Sequence, residues 1–177
     1  MQKIMFNDKY GLTKAVLEGR KTMTRRIIPE KLVKAIEGGM PGYAVMESRY
    51  KVGEVVAVAQ PYKDVTNTGG YPHPLVAKPG WTNKMFVRAD LMLHQIRITN
   101  VRVERLQDIS DEDCLREGIL EDCPGLQYSF PTETGYCGQY PFYTPREAFA
   151  ALIDNITGNG TWERNPWVFV YEFELLK

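Results

Sequence analysis

The sequence has few cysteines and no long apolar run, and these two shortages exclude several classes of protein. Its three cysteines are Cys114, Cys123 and Cys137, and no two of them are spaced as a CxxC pair. A disulfide framework and a thiolate zinc site are therefore not expected, and the expected location is a reducing cytoplasm. No stretch approaches the roughly 20 apolar residues of a membrane helix. Asp8 comes too early for the apolar part of a signal peptide, so we expect no contact with a membrane.

Net charge is also absent, since 22 Lys and Arg residues balance 22 Asp and Glu residues. A protein that coats long nucleic acid by charge alone is not expected, because such binding grows with the number of phosphates neutralised. A local basic pocket is still compatible with this balance. The 177 residues, 44% of them hydrophobic, suit one domain with a sizeable core, and we expect a single domain over 1–177.

Histidine is scarce as well, which bears on metal and cofactor binding. His73 lies in a proline-rich stretch and His94 begins an apolar pattern, with no second histidine at a metal-ligand spacing. Walker A, GxGxxG and GxSxG motifs are absent from the sequence. We therefore expect no metal and no nucleotide cofactor.

The apolar patterns that are present predict an α+β fold with a small curved or closed sheet. In chain order they predict an edge strand at 4–6, a helix over 9–18, a buried strand at 55–59, a long strand over 94–106 and a closing strand over 167–176. The alternation in the long strand slips by one residue at Thr99-Asn100, which indicates a β-bulge. Glycines and prolines over 67–82 predict a long surface loop.

Two further helices are predicted from their first residues. Ser110-Asp111-Glu112-Asp113 has the form of a capping box and predicts a short helix that ends near Gly118. Thr144-Pro145-Arg146-Glu147 predicts a second helix, with threonine at the N-cap, proline at N1 and glutamate at N3. That helix would carry the apolar side chains Phe149, Leu152, Ile153 and Ile156 toward the core.

The segment from Gly19 to Arg26 concentrates the chemistry, with four cations and two hydroxyls in eight residues. Arginine binds phosphate or a base edge through two hydrogen bonds, and lysine changes its pKa readily on burial. A solvated basic turn that leads into a strand is the alternative interpretation. If the segment is extended, Lys21 and Thr24 lie on opposite faces, so a joint role requires a turn or bulge between them.

This segment also resembles a known family. Gly19-x-Lys21-x4-Arg26 matches the GxKxxxxR signature of the ASCH domain, a branch of the PUA-like superfamily. The resemblance implies a small β-barrel with short flanking helices. Long loop insertions near 67–83 and 123–141 would then make this chain similar to larger ASCH proteins, including phage-encoded ones.

The wider run from Val16 to Thr24 is similar to the bacterial ASCH amidohydrolases that deacetylate N4-acetylcytidine. In those enzymes the proposed catalytic groups are a lysine, a threonine three residues later and a distant glutamate. The first two correspond to Lys21 and Thr24, and alignment of the segment 103–119 places the third on Glu117. The alternative for Glu117 is a solvated residue in the last turn of a helix.

The resemblance implies that Gly19, Arg20, Thr22, Arg25 and Arg26 contact the substrate. The expected partner is a nucleoside, a modified base or single-stranded RNA. We expect hydrolysis of an acyl amide on a modified nucleoside such as N4-acetylcytidine. Two alternatives remain open, namely a non-catalytic RNA or modified-base binding module and a ribonuclease. No oligomeric state is predicted.

Overall fold

The computed structural model describes residues 1–66, 79–132, 135–136 and 141–176, and these residues form a mixed α+β fold. Strands β1 to β9 span Lys3–Ile4, Met23–Ile27, Val55–Val58, Gln95–Arg105, Leu120–Cys123, Gln127–Ser129, Pro131–Thr132, Gly135–Tyr136 and Trp167–Leu176. Helices α1 to α7 span Leu12–Leu17, Glu30–Glu37, Pro41–Met46, Tyr62–Val65, Asp111–Arg116, Pro145–Thr157 and Thr161–Arg164. Short 3-10 helices span Lys84–Phe86, Ala89–Leu91 and Leu106–Asp108. Most of the predicted loop at 67–82, with His73, lies outside the described residues, as does Cys137.

The main sheet has five strands in the order β1-β3-β4-β9-β2. Strands β1 and β3 run parallel, and the other neighbours are antiparallel. The predicted long and closing strands are confirmed as β4 and β9, which pair along nearly their whole lengths. Their register shifts between Ile98 and Asn100, which confirms the bulge predicted from the slip in alternation.

The sheet is open, because β1 and β2 are its two edges. The described strands therefore do not form the closed barrel expected from the resemblance, and that expectation is corrected to an open, five-stranded sheet. Strand β1 has only two residues, so it is too short to form hydrogen bonds along the length of β2 and close the sheet. A side chain spans the gap instead, since Arg26 Nη2 donates a hydrogen bond to the Met5 carbonyl at 2.5 Å.

Helices α5 and α6 pack beside the sheet and begin where the sequence predicts. The Thr144 side chain accepts from the Glu147 amide, and the Glu147 side chain accepts from the Thr144 amide, which confirms the reciprocal capping box of α6. At α5 the Ser110 hydroxyl accepts from the Asp113 amide. Phe149 on α6 is fully buried in the core. Within the described residues, no helix combines the length and the apolar character needed to cross a membrane.

Candidate functional site

The motif segment leaves helix α1 through a turn and then enters edge strand β2. Gly19 has a φ of +75°, a left-handed conformation that glycine adopts without strain, and it allows the chain to reverse after α1. The Lys21 amide donates to the Ala15 carbonyl, and the Thr22 amide donates to the Arg116 carbonyl, both at 3.0 Å. Lys21 therefore belongs to the turn, and the extended strand begins two residues later.

Lys21 and Glu117 form a buried ion pair at the centre of the site. Lys21 Nζ lies 2.5 Å from Glu117 Oε2 and 2.6 Å from the Glu117 carbonyl oxygen. The side chains are 2% and 5% exposed, so the alternative of a solvated Glu117 is wrong. Burial lowers the pKa of Lys21 below its ordinary 10.5, although the Glu117 carboxylate acts in the opposite direction. Deprotonation of lysine to its neutral amine therefore requires less free energy here than at the protein surface.

Glu117 reaches this position because it caps the C-terminus of α5. Its amide donates to the Asp113 and Cys114 carbonyls, and the next residue, Gly118, has a φ of +106°. This conformation ends the helix and directs the chain back toward β5. The helix end thus holds both the carboxylate and the carbonyl of Glu117 against Lys21.

Arg25 holds the same carboxylate from the other side. Its Nη1 lies 3.2 Å from Glu117 Oε1, while Nε and Nη2 lie 2.9 and 2.6 Å from Glu104 Oε1. Nη2 is also 3.0 Å from Asp113 Oδ2, and the Arg25 side chain is 1% exposed. Because its nitrogen atoms face carboxylates of the protein, this placement favours a positioning role over the predicted substrate contact.

An outer layer of ion pairs supports the same carboxylates. Arg102 lies 3.0 Å from Glu104 Oε2 and 2.9 Å from Asp113 Oδ2. Arg116 Nη2 lies 2.9 Å from Glu172 Oε2, and Arg102 also binds Glu172. These contacts link β4, α5 and β9, so the helix end that carries Glu117 is tied to the sheet.

A cavity of about 200 Å³ opens beside the ion pair. Side chains from β2, α6 and the start of the chain line it, and most of them are apolar. The lining residues are Phe6, Asn7, Leu12, Lys21, Thr24, Arg25, Arg26, Ile27, Leu106, Glu117, Phe149, Leu152, Ile153, Ile156, Thr157, Thr161 and Val168. The four apolar residues predicted on α6 are all in this lining.

Thr24 lies in the cavity wall together with Lys21, and two features bring them there. Lys21 precedes the strand, so it does not follow the alternation of β2. Strand β2 is also an edge, so side chains from both of its faces, such as Thr24 and Arg25, line one cavity. Thr24 is buried, and among the described residues none makes a hydrogen bond to its hydroxyl. A joint role is thus compatible with a regular strand preceded by a turn.

The remaining predicted residues divide into two groups. Arg26 lines the cavity, and its guanidinium lies 5.8 Å from the centre of the Phe6 ring. Gly19, Arg20 and Thr22 do not line it. Arg20 forms an exposed ion pair with Glu18, and the Thr22 hydroxyl accepts from Arg116 Nε at 3.2 Å. The structure thus brings together Lys21, Thr24, Arg25, Arg26 and Glu117.

Sequence reasoning missed Glu104 and Asp113 as parts of the site. Both lie in the segment 103–119 that contains Glu117, so the segment was recognised without these roles. Among the described residues, no group of three or more His, Cys, Asp or Glu side chains is arranged to hold a metal ion. Glu104, Asp113 and Glu117 are instead each held by arginine.

Comparison with known proteins gives a likeness at the level of architecture. No family model matches the sequence, and no curated protein matches it. The structure is similar to the crystal structure of an ASCH domain from Lactobacillus crispatus JV V101, with a TM-score of 0.45 and 14% sequence identity. The likeness covers 96% of this chain and 75% of that one. We draw no functional conclusion from a likeness of this size.

Proposed function

We propose that this protein hydrolyses an acyl amide on the exocyclic amine of a modified nucleobase, such as that of N4-acetylcytidine. The observation that carries the proposal is the buried Lys21–Glu117 pair, which shares a small, mostly apolar cavity with the Thr24 hydroxyl. These are the groups that acyl transfer requires: a hydroxyl nucleophile, a base and an acid. The motif's resemblance to ASCH amidohydrolases supports the choice of substrate.

The size of the cavity supports a substrate with one ring. An apolar cavity of about 150 Å³ holds a benzene molecule. The cavity of about 200 Å³ therefore accommodates a pyrimidine ring with a small acyl substituent. The ring and its acyl group fill most of this volume, so the sugar of a nucleoside would lie at the opening of the cavity.

The ion pair supplies the base and the acid together. Lys21 and Glu117 share one proton between them: the pair is either ammonium and carboxylate or amine and carboxylic acid. Burial lowers the pKa of Lys21 and so favours its amine form, whereas the neighbouring Glu117 carboxylate raises the pKa and favours the ammonium form. In the neutral form Lys21 can accept a proton and Glu117 can donate one, which are the two roles that the proposed reaction requires.

In the first step Thr24 Oγ1 attacks the acyl carbon, and its proton passes to Lys21 Nζ. The Lys21 ammonium that forms stabilises the oxyanion of the tetrahedral intermediate. The bond from carbon to nitrogen then breaks as Glu117 gives its proton to the leaving amine. After this step Thr24 carries an acyl ester and the nucleobase amine is free. Glu117 is a carboxylate, and Lys21 is an ammonium.

In the second step water attacks the ester, and Glu117 accepts a proton from the water. The bond between the acyl carbon and Thr24 Oγ1 breaks, and the Lys21 ammonium returns a proton to the threonine oxygen. The carboxylic acid leaves, and the pair regains its neutral form. The net reaction consumes one amide and one water and yields one amine and one acid.

The test follows loss of the acetyl group from free N4-acetylcytidine by chromatography. We expect turnover by the wild type and a fall in kcat/KM of at least about 100-fold in Lys21→Met, Thr24→Val and Glu117→Gln. Thr99→Val, which changes an exposed threonine on β4, should retain wild-type activity. Thermal unfolding of each variant checks that it is folded. Absence of turnover at high wild-type concentration contradicts the proposal.

Binding of a modified base without hydrolysis is the second candidate function. Lys21 Nζ already donates to two oxygens of Glu117, an arrangement that also suits a purely structural pair. In this case N4-acetylcytidine binds to the protein without being hydrolysed, and the only effect of Glu117→Gln is a change in the affinity for N4-acetylcytidine. Isothermal titration with the same variants separates the two functions.

A further inference from the structure

Among the residues that the structure describes, uncharged polar side chains are few in the lining of the proposed catalytic cavity. They are Asn7, Thr24, Thr157 and Thr161. The hydroxyls of Thr157 and Thr161 donate to backbone carbonyls at 2.8 and 2.7 Å, so the protein itself engages them. The Thr24 hydroxyl is the nucleophile of the proposed reaction. Asn7 therefore remains as a polar side chain of the cavity without an assigned role.

The Asn7 side chain has one end fixed by the backbone. Its Oδ1 accepts a hydrogen bond from the Lys9 amide at 3.0 Å. A backbone amide can only donate, so this contact fixes which end of the side chain is the oxygen. Within the described part of the chain, no group accepts a hydrogen bond from Nδ2. Asn7 thus offers two N–H donors to a ligand.

The backbone on either side of Asn7 is held by a buried lysine from a distant segment. Lys84 Nζ donates to the Phe6 carbonyl at 2.5 Å and to Asp8 Oδ1 at 2.8 Å, and these are the two residues that adjoin Asn7. The Asn7 carbonyl also accepts from the Leu12 amide at 3.0 Å. Asn7 is therefore positioned before a ligand enters, which lowers the entropy cost of a hydrogen bond to its amide.

Asn7 and Thr24 come from the two edges of the open sheet. Thr24 belongs to edge strand β2, and Asn7 lies in the segment that follows the other edge strand, β1. The centre of the Phe6 ring, next to Asn7 in the chain, is 5.9 Å from Lys21 Nζ. A base that places its acyl amide against Thr24 and Lys21 therefore directs its ring toward Asn7.

We propose that Asn7 is a specificity-determining residue whose Nδ2 donates to the N3 and O2 edge of an acylated cytosine. This inference rests on the proposed function of the cavity. In cytosine, N3 and O2 are hydrogen-bond acceptors side by side, and N3 adjoins the carbon that bears the exocyclic amine. A side-chain amide nitrogen complements such an edge. The apolar part of the wall favours any six-membered ring, so selection among rings requires this polar contact.

The experiment compares two ligands that share the acetyl amide and differ in the ring. N4-acetylcytosine has the acceptor edge, whereas acetanilide carries its amide on a benzene ring without acceptors. Isothermal calorimetry measures the binding of both ligands to proteins that also carry Thr24→Val, which prevents the proposed hydrolysis during the titration. With Asn7 in place, we expect N4-acetylcytosine to bind at least about 10-fold more tightly than acetanilide.

Asn7→Asp is the first test variant, because aspartate keeps an acceptor for the Lys9 amide and replaces the N–H donors with a second acceptor. Affinity for N4-acetylcytosine should fall at least about 10-fold, while affinity for acetanilide should stay within about twofold. Asn7→Leu, which adds no charge, should also weaken binding of N4-acetylcytosine alone. The matched control is Asn155→Asp, which should change neither affinity, since Asn155 is exposed on α6 and does not line the cavity.

The two ligands separate base recognition from other roles of Asn7. Equal losses of affinity for both ligands in Asn7→Asp assign Asn7 to the shared acyl group or to the turn, and overturn the inference. Unchanged binding of N4-acetylcytosine by Asn7→Asp, or absence of its binding to the protein with Asn7, also overturns it.

A second arm measures kcat/KM for N4-acetylcytosine in proteins that retain Thr24. We expect a fall of at least about 10-fold in Asn7→Asp and no change in Asn155→Asp. Equal kcat/KM values in the wild type and Asn7→Asp overturn the inference but leave the proposed hydrolysis intact. If the wild type hydrolyses no acylated cytosine, the proposed function fails, while the calorimetric arm still tests recognition by Asn7.

Discussion

Replacement of Arg25 by methionine tests whether the arginine network holds the site together. Arg25 contacts three carboxylates, those of Glu104, Asp113 and Glu117, and its side chain is 1% exposed. Methionine keeps much of the side-chain length and removes the charge. The substitution therefore leaves the carboxylates in place and withdraws a cation that they share.

The magnitude follows from what each carboxylate retains. Loss of one partner of a buried ion pair costs about 3–5 kcal/mol, mainly because the other charge is left unpaired. Here Glu117 keeps Lys21, and Glu104 and Asp113 keep Arg102. We therefore expect the lower end, about 3 kcal/mol, in the free energy of unfolding. For a domain of this size that corresponds to a fall in Tm of about 6–12 °C.

Thermal unfolding followed by circular dichroism measures this effect, with Arg97→Met as the matched control. Arg97 forms an ion pair with Glu174 at 3.1 Å, but both side chains are about half exposed. Surface pairs contribute about 0–1 kcal/mol, so the control should lose no more than about 4 °C. If Arg25→Met loses no more than Arg97→Met, the network does not carry the stability assigned to it.

Two further predictions concern titratable side chains. Burial raises the pKa of the Cys114 thiol to about 12, whereas Cys123 is exposed. After brief iodoacetamide treatment at pH 8, mass spectrometry should therefore find Cys123 alkylated and Cys114 unmodified. Equal labelling of both cysteines contradicts the placement of Cys114. The lowered pKa of Lys21 means that, below pH 10.5, the unfolded chain binds more protons at this residue than the folded protein. We measure the free energy of unfolding by urea for the wild type and for Lys21→Met at a series of pH values. Between the pKa of Lys21 in the folded protein and its pKa in the unfolded chain, the wild type should gain stability with rising pH relative to the variant. A loss of stability relative to the variant over that range excludes a lowered pKa.

Local signals in the sequence were sufficient for several elements of the fold. Thr144 and Glu147 lie three residues apart, so the cap of α6 depends on groups that adjoin in the chain. The bulge near Thr99 was visible because alternation along one strand reports which side chains point inward. Helix α2 was not predicted, since it begins after Pro29 without a side-chain cap.

The surroundings of the site depended on contacts between distant segments, and these were beyond sequence reasoning. Glu104 is 79 residues from Arg25 in the chain, yet it lies 2.6 Å from the guanidinium. Arg25 was therefore predicted as a substrate ligand, because a sequence shows the cation and not its partners. A second cavity, of about 530 Å³, was also missed, because the cations in its lining come from β1, β2, helix α2 and the segment after α3.

The central position of β9 bears on how the protein forms during synthesis. Strand β9 lies between β4 and β2, and its register covers every residue of β2. Every proposed catalytic residue is translated before this strand, so a nascent chain can contain all of them while β2 still lacks its neighbour. Val168 of β9 also lines the proposed catalytic cavity, so the walls of that cavity are complete only after residues 167–176 have left the ribosome.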